Sequence, residues 1–202
     1  MRPFLVSLIA VSLFAAEPPK KETIQAFGME WEVPFASEWS FQDGVLKMLK
    51  ARPQEKDPRR PVQFALAKTQ PYSDVEIDVE MKRDKGSMII VYAWQQEGRF
   101  NYAHLSVDAP TKQPVHNGIF HCFGGDRVRI SPLEGPSSLP TEEWTPVKLI
   151  YSAKTGEVRV WANNITTPAL RGIDLSLGAG RIGLGSFFET GQFRNLRIKG
   201  KP

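Results

Sequence analysis

The sequence predicts an all-β protein in which two antiparallel sheets pack into a sandwich. Residues 75–81 alternate strictly between apolar and acidic side chains, as expected for a strand with one face on a core and the other in water. Sixteen glycines and sixteen prolines supply turn signals between short apolar segments. No segment keeps a sustained 3.6-residue period, and one domain is expected because sandwiches of about 200–250 residues often fold as one unit.

Residues 1–16 are predicted to be a secretory signal peptide. Arg2 precedes an uncharged apolar run at 4–14, and small residues follow it. A membrane-spanning helix needs about 20 apolar residues, and this run is shorter. The mature chain is therefore expected to be secreted or periplasmic, without membrane attachment. Residues 17–26 are predicted to be a flexible lead-in, and residues 27–202 a single folded domain.

Short apolar or alternating segments along the chain are interpreted as strands. They are residues 29–35, 45–49, 62–68, 75–81, 88–93, 100–107, 128–130, 147–151, 158–161, 181–184 and 193–198. Residues 45–49 also fit a helical period, but a strand is preferred. The Asp43-Gly44 and Thr155-Gly156 pairs are hairpin signals. In the segment 100–107, residues Ala103, Leu105 and Val107 are expected to point inward, and Tyr102, His104 and Ser106 outward.

Charge and cysteine content narrow the function classes. The net charge is +4, and basic residues cluster at 50–60, next to Pro53, Pro58 and Pro61. No aromatic residues interleave with this cluster, so it indicates a solvated loop rather than a nucleic-acid site, although weak attraction to acidic polysaccharides is compatible with it. Cys122 is the only cysteine, so no intramolecular disulfide forms, and its apolar neighbours indicate a buried side chain rather than a nucleophile.

Six short motifs follow one another along the chain: residues 72–76 (YSDVE), 100–105 (FNYAHL), 144–148 (WTPVK), 156–161 (GEVRVW), 180–185 (GRIGLG) and 193–198 (FRNLRI). Their order resembles the laminin G-like and 3-keto-disaccharide hydrolase-like domains of the concanavalin A-like jelly roll. Residues 102–105, 116–117 and 127–131 look more narrowly like a subgroup of exported bacterial proteins of this type. The resemblance spans about residues 27–199. It implies a two-sheet antiparallel jelly-roll sandwich of the lectin/glucanase type, with carbohydrate bound on the concave face.

Glu76, Asp78 and Glu80 form the sharpest candidate for catalysis. They resemble the acidic strand of lichenase-type glucanases, in which the first Glu is the nucleophile, the Asp a helper and the second Glu the acid/base. Like-charge repulsion from Asp78 would raise the pKa of the acid. The alternative is that the three carboxylates are simply the wet face of an amphipathic strand, neutralised by nearby basic residues.

His104 is the third candidate catalytic residue, as a general base. The candidate substrate-binding residues are Arg99, Tyr102, His116, Asn117 and Arg127. The planar fork of Arg127 suits a carboxylate or a pair of hydroxyls, and the alternative for this residue is a salt bridge to Asp126 or Glu134. If residues 100–107 pair with 115–123, even index sums put His104 and His116 on one face, and odd sums put His104 with His121. The sequence leaves this register open.

The remaining candidates are aromatic residues and metal ligands. Trp94, Trp144 and Trp161 are expected in the core, whereas Trp31 or Trp39 is expected to offer a sugar-stacking face. The histidine spacing matches no metal motif, so no cofactor is expected. Calcium bound by loop residues such as Asp108 and Asp126, as in some laminin G-like domains, is the one metal alternative.

The sequence thus predicts an exported, carbohydrate-directed protein that either binds a glycoside or oligosaccharide or cleaves it as a hydrolase or lyase, with 3-keto-glycosides among the substrates. The alternative, from another class, is a non-catalytic protein-interaction domain of the laminin G-like type. Whether a reaction is catalysed, which sugar is bound and the oligomeric state are left open.

Overall fold

The computed structural model describes residues 21–53, 58–106, 117–132, 139–163 and 166–201. Within these ranges the chain forms fifteen strands and one short 3-10 helix, Ala36–Glu38. The strands are β1 (Glu22–Ala26), β2 (Met29–Val33), β3 (Trp39–Gln42), β4 (Val45–Met48), β5 (Gln63–Ala67), β6 (Asp74–Arg83), β7 (Met88–Gln96), β8 (Arg99–Leu105), β9 (Gly118–Phe123), β10 (Arg127–Arg129), β11 (Thr145–Ser152), β12 (Glu157–Ala162), β13 (Leu170–Ile173), β14 (Arg181–Ser186) and β15 (Gly191–Lys201).

The strands form two antiparallel sheets. Sheet A has the order β1-β2-β5-β14-β7-β8-β9-β10, and sheet B has the order β13-β12-β11-β6-β15-β4-β3. The predicted all-β, two-sheet antiparallel sandwich is confirmed. No helix in the described ranges is long and apolar enough to cross a membrane.

Several local predictions differ from the structure. The signal peptide and residues 17–20 of the predicted lead-in lie outside the described residues, but residues 22–26 of that lead-in form β1, which pairs with β2. Strands β3 and β13 were not predicted because each is only four residues long and lacks strong alternation. Residues 45–48 form a strand, as preferred over the helical alternative. The expected turn joins β3 to β4, with positive φ at Asp43 (51°) and Gly44 (74°), which suits a tight hairpin.

The main core lies between the two sheets. The apolar residues of β6 point into it, and Trp31, Tyr92 and Phe193 are among its fully buried side chains. Close approach of strands also requires glycine, because a Cβ on Gly185 would lie 2.2 Å from the carbonyl oxygen of Gln63 in the neighbouring strand. Such a contact is closer than any real Cβ makes.

The two outer faces of the sandwich differ in character. On sheet A, side chains that alternate with the main core form a second apolar cluster, here called the outer cluster: Phe64, Leu66, Ile89, Val91, Phe100, Tyr102, Phe120, Cys122 and Phe187. On sheet B, the corresponding positions of β6 are Glu76, Asp78 and Glu80, which are partly exposed. The expected wet outer face therefore exists on sheet B, whereas the residues around Tyr102 and His104 on sheet A are buried.

Candidate functional site

The structure separates the predicted catalytic residues. Glu76 and Glu80 lie on the outer face of sheet B, opposite the core-facing residues of β6. His104 lies on β8 in sheet A, on the outer side together with Tyr102, because Ala103 and Leu105 face the main core. The two glutamates and His104 are therefore on opposite sides of the sandwich. The expectation that they surround one concave face is corrected.

A groove of about 650 Å³ lies on the outer face of sheet B. Its floor crosses four neighbouring strands, β15, β6, β11 and β12. The register places four side chains in one row across these strands, in the order Arg197, Asp78, Lys148 and Trp161. Glu80, Pro146 and Asn195 line the groove beside this row. Ligand pockets typically have volumes of about 300–1,000 Å³, and the volume of this groove falls within that range.

A bulge in β15 positions the polar end of the groove. The pairing of β15 with β6 shifts register between Arg194 and Arg197, and Asn195 within the bulge has φ of 55°. Asparagine tolerates this left-handed conformation better than most residues. As a result, Asn195 Nδ2 donates to Glu80 Oε1 at 2.8 Å while Arg194 Nε donates to Glu80 Oε2 at 2.6 Å. Glu80 is therefore fixed by donors from two adjacent residues.

The carboxylates of Glu76 and Glu80 are held by cationic or amide donors. The Lys148 ammonium lies 2.9 Å from Glu76 and 3.6 Å from Asp78. Hydrogen bonding from Lys148 lowers the pKa of Glu76 despite some desolvation, and hydrogen bonds from Asn195 and Arg194 lower the pKa of Glu80. The raised pKa expected for the acid of a glucanase-type pair is thus absent at Glu80. Both carboxylates are suited to accepting hydrogen bonds.

The tryptophan assignments are the reverse of the prediction. Trp31 and Trp39 are buried in the main core. Trp161 lines the groove and is partly exposed, with its Nε1 donating to the carbonyl oxygen of Thr166 at 3.3 Å. Trp144 is also partly exposed, with the Arg194 guanidinium 4.2 Å from its ring centroid. Trp144 and Trp161 therefore lie on the solvent-facing side of sheet B, next to basic side chains.

On sheet A, the structure brings together three predicted site residues. Arg127 Nη1 lies 3.4 Å from Tyr102 Oη and 3.3 Å from His104 Nδ1. Arginine only donates, so His104 Nδ1 accepts, and the ring hydrogen is on Nε2, which contacts Ser87 Oγ. Tyr102 and His104 are almost fully buried. Burial raises the pKa of Tyr102, and the nearby charges of Arg127 and Arg59 only partly oppose this.

The other predicted binding residues are dispersed. Arg99 is on the opposite face of β8 from Tyr102 and His104, with its guanidinium 4.8 Å from the Phe123 ring. Asn117 is buried, and its carbonyl oxygen accepts a hydrogen bond from Arg129 Nη1 at 2.8 Å. His116 lies outside the described residues. Arg99 is thus not part of the Tyr102–His104 cluster, because three positions along a strand reverse the face.

The open register between β8 and β9 is now determined. His104 pairs with Gly118, and Asn101 pairs with His121, so the index sums are even and His121 is on the opposite face from His104. His121 Nδ1 instead lies 2.8 Å from Asn101 Oδ1 and 2.9 Å from Asp174 Oδ2. Asn101 Nδ2 also donates to Asp174 Oδ2 at 2.7 Å. This polar triad links sheet A to the segment after β13 in sheet B.

Cys122 is buried in the outer cluster, as predicted. Burial raises the pKa of its thiol to about 12, which the charges of Arg60 and Arg127 reduce only in part. We expect no measurable reaction of the folded protein with a thiol-specific disulfide reagent at pH 8 over minutes, and full reaction in denaturant, because the thiolate is the reactive form. Rapid labelling of the folded protein would contradict this burial.

Within the described residues, no group of three or more His, Cys, Asp or Glu side chains is placed to hold a metal ion. Of the two residues considered for calcium, Asp108 lies outside these residues. Asp126 Oδ1 accepts a hydrogen bond from the Arg59 backbone N–H at 2.6 Å.

The two packed antiparallel sheets define a jelly-roll sandwich, and a polar groove that includes Trp161 lies on the outer face of sheet B. Comparison with protein families identifies the chain more narrowly. Residues 23–199 match the 3-keto-alpha-glucoside-1,2-lyase-like domain, so the chain belongs to this family. The predicted resemblance to 3-keto-disaccharide hydrolase-like domains is confirmed. No curated protein is significantly similar in sequence to this chain.

Solved structures share the fold at low sequence identity. Carbohydrate-binding module CBM66 from Bacillus subtilis has a TM-score of 0.60 and 15% identity, covering 80% of this chain and 91% of its own. A Parabacteroides distasonis protein provisionally described as a glycosyl hydrolase has a TM-score of 0.58 and 17% identity, covering 82% and 91%. A Bacillus subtilis protein with a galectin-like fold has a TM-score of 0.50 and 12% identity, covering 81% and 86%. These likenesses support the fold.

Sequence reasoning missed most of the groove. Lys148, Trp161, Asn195 and Arg197 were not singled out as site residues, although all four line it. The available signal was alternation, because Lys148 and Trp161 are both flanked by apolar residues and so face away from the core. Nothing in the sequence alone showed that these strands are neighbours of β6.

Proposed function

We propose that the protein is an exported carbohydrate-binding jelly roll that holds a neutral, hydroxyl-rich glycan in the groove on sheet B. The observation that carries the proposal is the row Arg197, Asp78, Lys148 and Trp161 on the groove floor. It combines an aromatic side chain with donors and acceptors on one surface. Membership of a family described by a 3-keto-alpha-glucoside lyase supports a sugar as the ligand class.

The groove offers both hydrogen-bond donors and hydrogen-bond acceptors to the hydroxyl groups of a sugar. The carboxylates of Asp78 and Glu80 accept hydrogen bonds, whereas Lys148, Asn195 and Arg197 donate them. Because Lys148 is within ion-pair distance of Glu76 and Asp78, and Arg194 of Glu80, much of the charge is already compensated. A strongly charged ligand would compete with these pairs, while a neutral sugar adds to them.

Binding is favoured over glycoside hydrolysis by Glu76 and Glu80 on this face of sheet B. A retaining or inverting glycosidase needs one carboxylic acid with a raised pKa to protonate the leaving oxygen. Here the pKa values of Glu76 and Glu80 are both lowered by basic or amide donors. The two residues proposed for the acid and nucleophile are therefore both ionised at neutral pH, and neither is a proton donor for a leaving group.

The proposal is tested by titrating the purified protein calorimetrically against neutral oligosaccharides and 3-keto-glycosides, with product analysis for each. We expect binding without turnover, and Trp161→Ala to weaken it roughly tenfold or more, since truncated Trp anchors commonly cost at least 1–2 kcal/mol. Trp94→Ala is the matched control, because Trp94 is a partly exposed tryptophan in sheet A, where it contacts Lys21 and Arg181.

Three outcomes would contradict the proposal. Unchanged glycan affinity in Trp161→Ala would exclude the groove as the binding site. Absence of binding across the panel would remove the carbohydrate function and favour the protein-interaction alternative of the laminin G-like type. Turnover of a 3-keto-glycoside would contradict binding without catalysis, and turnover that survives both Glu76→Gln and Glu80→Gln would assign catalysis to other residues.

A further inference from the structure

Arg127 occupies an unusual position on the other side of the molecule. Its guanidinium carbon is 4.5 Å from the Phe120 ring centroid and 4.7 Å from that of Phe187. Its Nη1 atom contacts Tyr102 and His104, whereas Nε and Nη2 make no hydrogen bond to any residue that the structure describes. The residue is half-buried on β10 at the edge of sheet A. The neutral groups around it orient the guanidinium without neutralising it.

Arg59 brings a second positive charge to this region from another segment. The carbonyl oxygen of Arg59 accepts a hydrogen bond from the Arg127 backbone N–H at 3.1 Å. Arg59 is exposed to solvent, and its positive charge opposes the rise that burial causes in the pKa of Tyr102. Arg59 thus adds positive charge to the region around the Arg127 guanidinium.

Two nearby carboxylates, those of Asp126 and Glu97, make their contacts with groups other than the guanidinium groups of Arg127 and Arg59. Asp126 Oδ1 accepts from the Arg59 backbone N–H, and Glu97 lies 3.5 Å from Arg60 and 4.0 Å from Lys21. Across the described ranges, neither Arg127 nor Arg59 has a carboxylate within ion-pair distance. A half-buried cation without a counter-ion is costly, so a bound anion at this place would be stabilised.

We propose that Arg127 and Arg59 form a binding site for the carboxylate of an acidic sugar, such as a uronic acid. The planar guanidinium of Arg127 offers the Nε and Nη2 edge, which matches a carboxylate in a two-bond fork. The rings of Phe120 and Phe187 supply apolar surface beside it. The site is on the opposite side of the sandwich from the groove, so it does not depend on the function proposed above.

The test is titration of the purified protein with sodium glucuronate, glucose and inorganic phosphate at low and high ionic strength. We expect glucuronate to bind, glucose to show no binding at this site, and added salt to weaken the interaction. Arg127→Gln is expected to reduce glucuronate affinity about tenfold or more, because it removes a charge-assisted hydrogen-bonding fork. Arg127→Lys keeps the positive charge but lacks the planar fork, so its affinity for glucuronate is also expected to be lower.

Controls separate this site from the groove and from effects on folding. Arg159→Gln removes an exposed arginine of sheet B that pairs with Glu157, and it should leave glucuronate binding unchanged, as should Trp161→Ala. Arg59→Gln, at an exposed residue, should lower the affinity several-fold and serves if Arg127→Gln fails to fold. Equal affinity for glucose, affinity unchanged in Arg59→Gln, or phosphate binding in preference to glucuronate would each overturn the proposal.

Discussion

Trp31→Ala is expected to lower the free energy of unfolding by about 3–5 kcal/mol, the range found for large aromatic side chains removed from cores. The Trp31 side chain is fully buried in the main core, and its Nε1 donates to the Ala26 carbonyl oxygen at 2.9 Å. The substitution therefore leaves a cavity and an unsatisfied carbonyl in the β1–β2 hairpin. Urea unfolding followed by far-UV circular dichroism measures the loss.

Trp161→Ala is the matched control for this prediction. The same side chain is removed, but from a partly exposed position on the outer face of sheet B, so we expect less than about 1.5 kcal/mol of destabilisation. The Trp31 variant, where folded, should keep glycan affinity, and the Trp161 variant should lose it. Equal destabilisation by the two substitutions would show that Trp161 has a structural role that its exposure does not indicate.

Asp174→Ala is expected to destabilise the protein by about 1–3 kcal/mol, the typical cost of leaving a buried hydrogen-bonding group unsatisfied. Asp174 Oδ2 accepts from Asn101 Nδ2 at 2.7 Å and lies 2.9 Å from His121 Nδ1. Asn101 is fully buried and therefore cannot regain these bonds from bulk water. Glu143→Ala, at an exposed position, is the control and should change stability little.

The same carboxylate predicts a pH dependence. Burial alone would raise the pKa of Asp174, but hydrogen bonds from Ser176 and Asn101 and the charge of His121 outweigh it, so the pKa of this carboxyl is lowered from its usual range. A carboxyl with a depressed folded pKa stabilises the fold above its unfolded pKa and loses that contribution as pH falls through the folded value. Stability of the unaltered protein should therefore decline below about pH 4 more steeply than that of Asp174→Ala. Parallel profiles would contradict this assignment.

The fold followed from local patterns because alternation and turn chemistry are properties of short segments. The strict alternation in β6 and the Asp43-Gly44 hairpin were both found where the sequence predicted them. The alternation of β8 was also found, but it did not show that its outer side is covered. Period two identifies two faces of a strand, whereas burial of the second face depends on distant segments such as Phe187.

The site was harder to predict because it depends on which strands are neighbours. Glu76 and His104 are only 28 positions apart in the chain, yet β6 and β8 belong to different sheets. Trp161 and Asp78 are far apart in sequence but share a row through β11. The burial of the tryptophans was predicted wrongly for a similar reason. Trp31 and Trp161 both lie in alternating strands, and they differ only in whether the side chain faces the core or the solvent.

The outer face of sheet B also bears on how proteins of this architecture diverge. The outward-facing groove residues of β6 and β11, such as Asp78 and Lys148, alternate with residues that face the core and are not part of it. Substitutions at Asp78, Lys148 or Trp161 would therefore alter ligand preference at little cost to folding. Sheet A is packed on both faces, so fewer of its side chains can be substituted without destabilising the fold. New ligand specificities in such proteins are therefore expected to arise first on the outer face of sheet B, where a substitution can change the groove without changing the core.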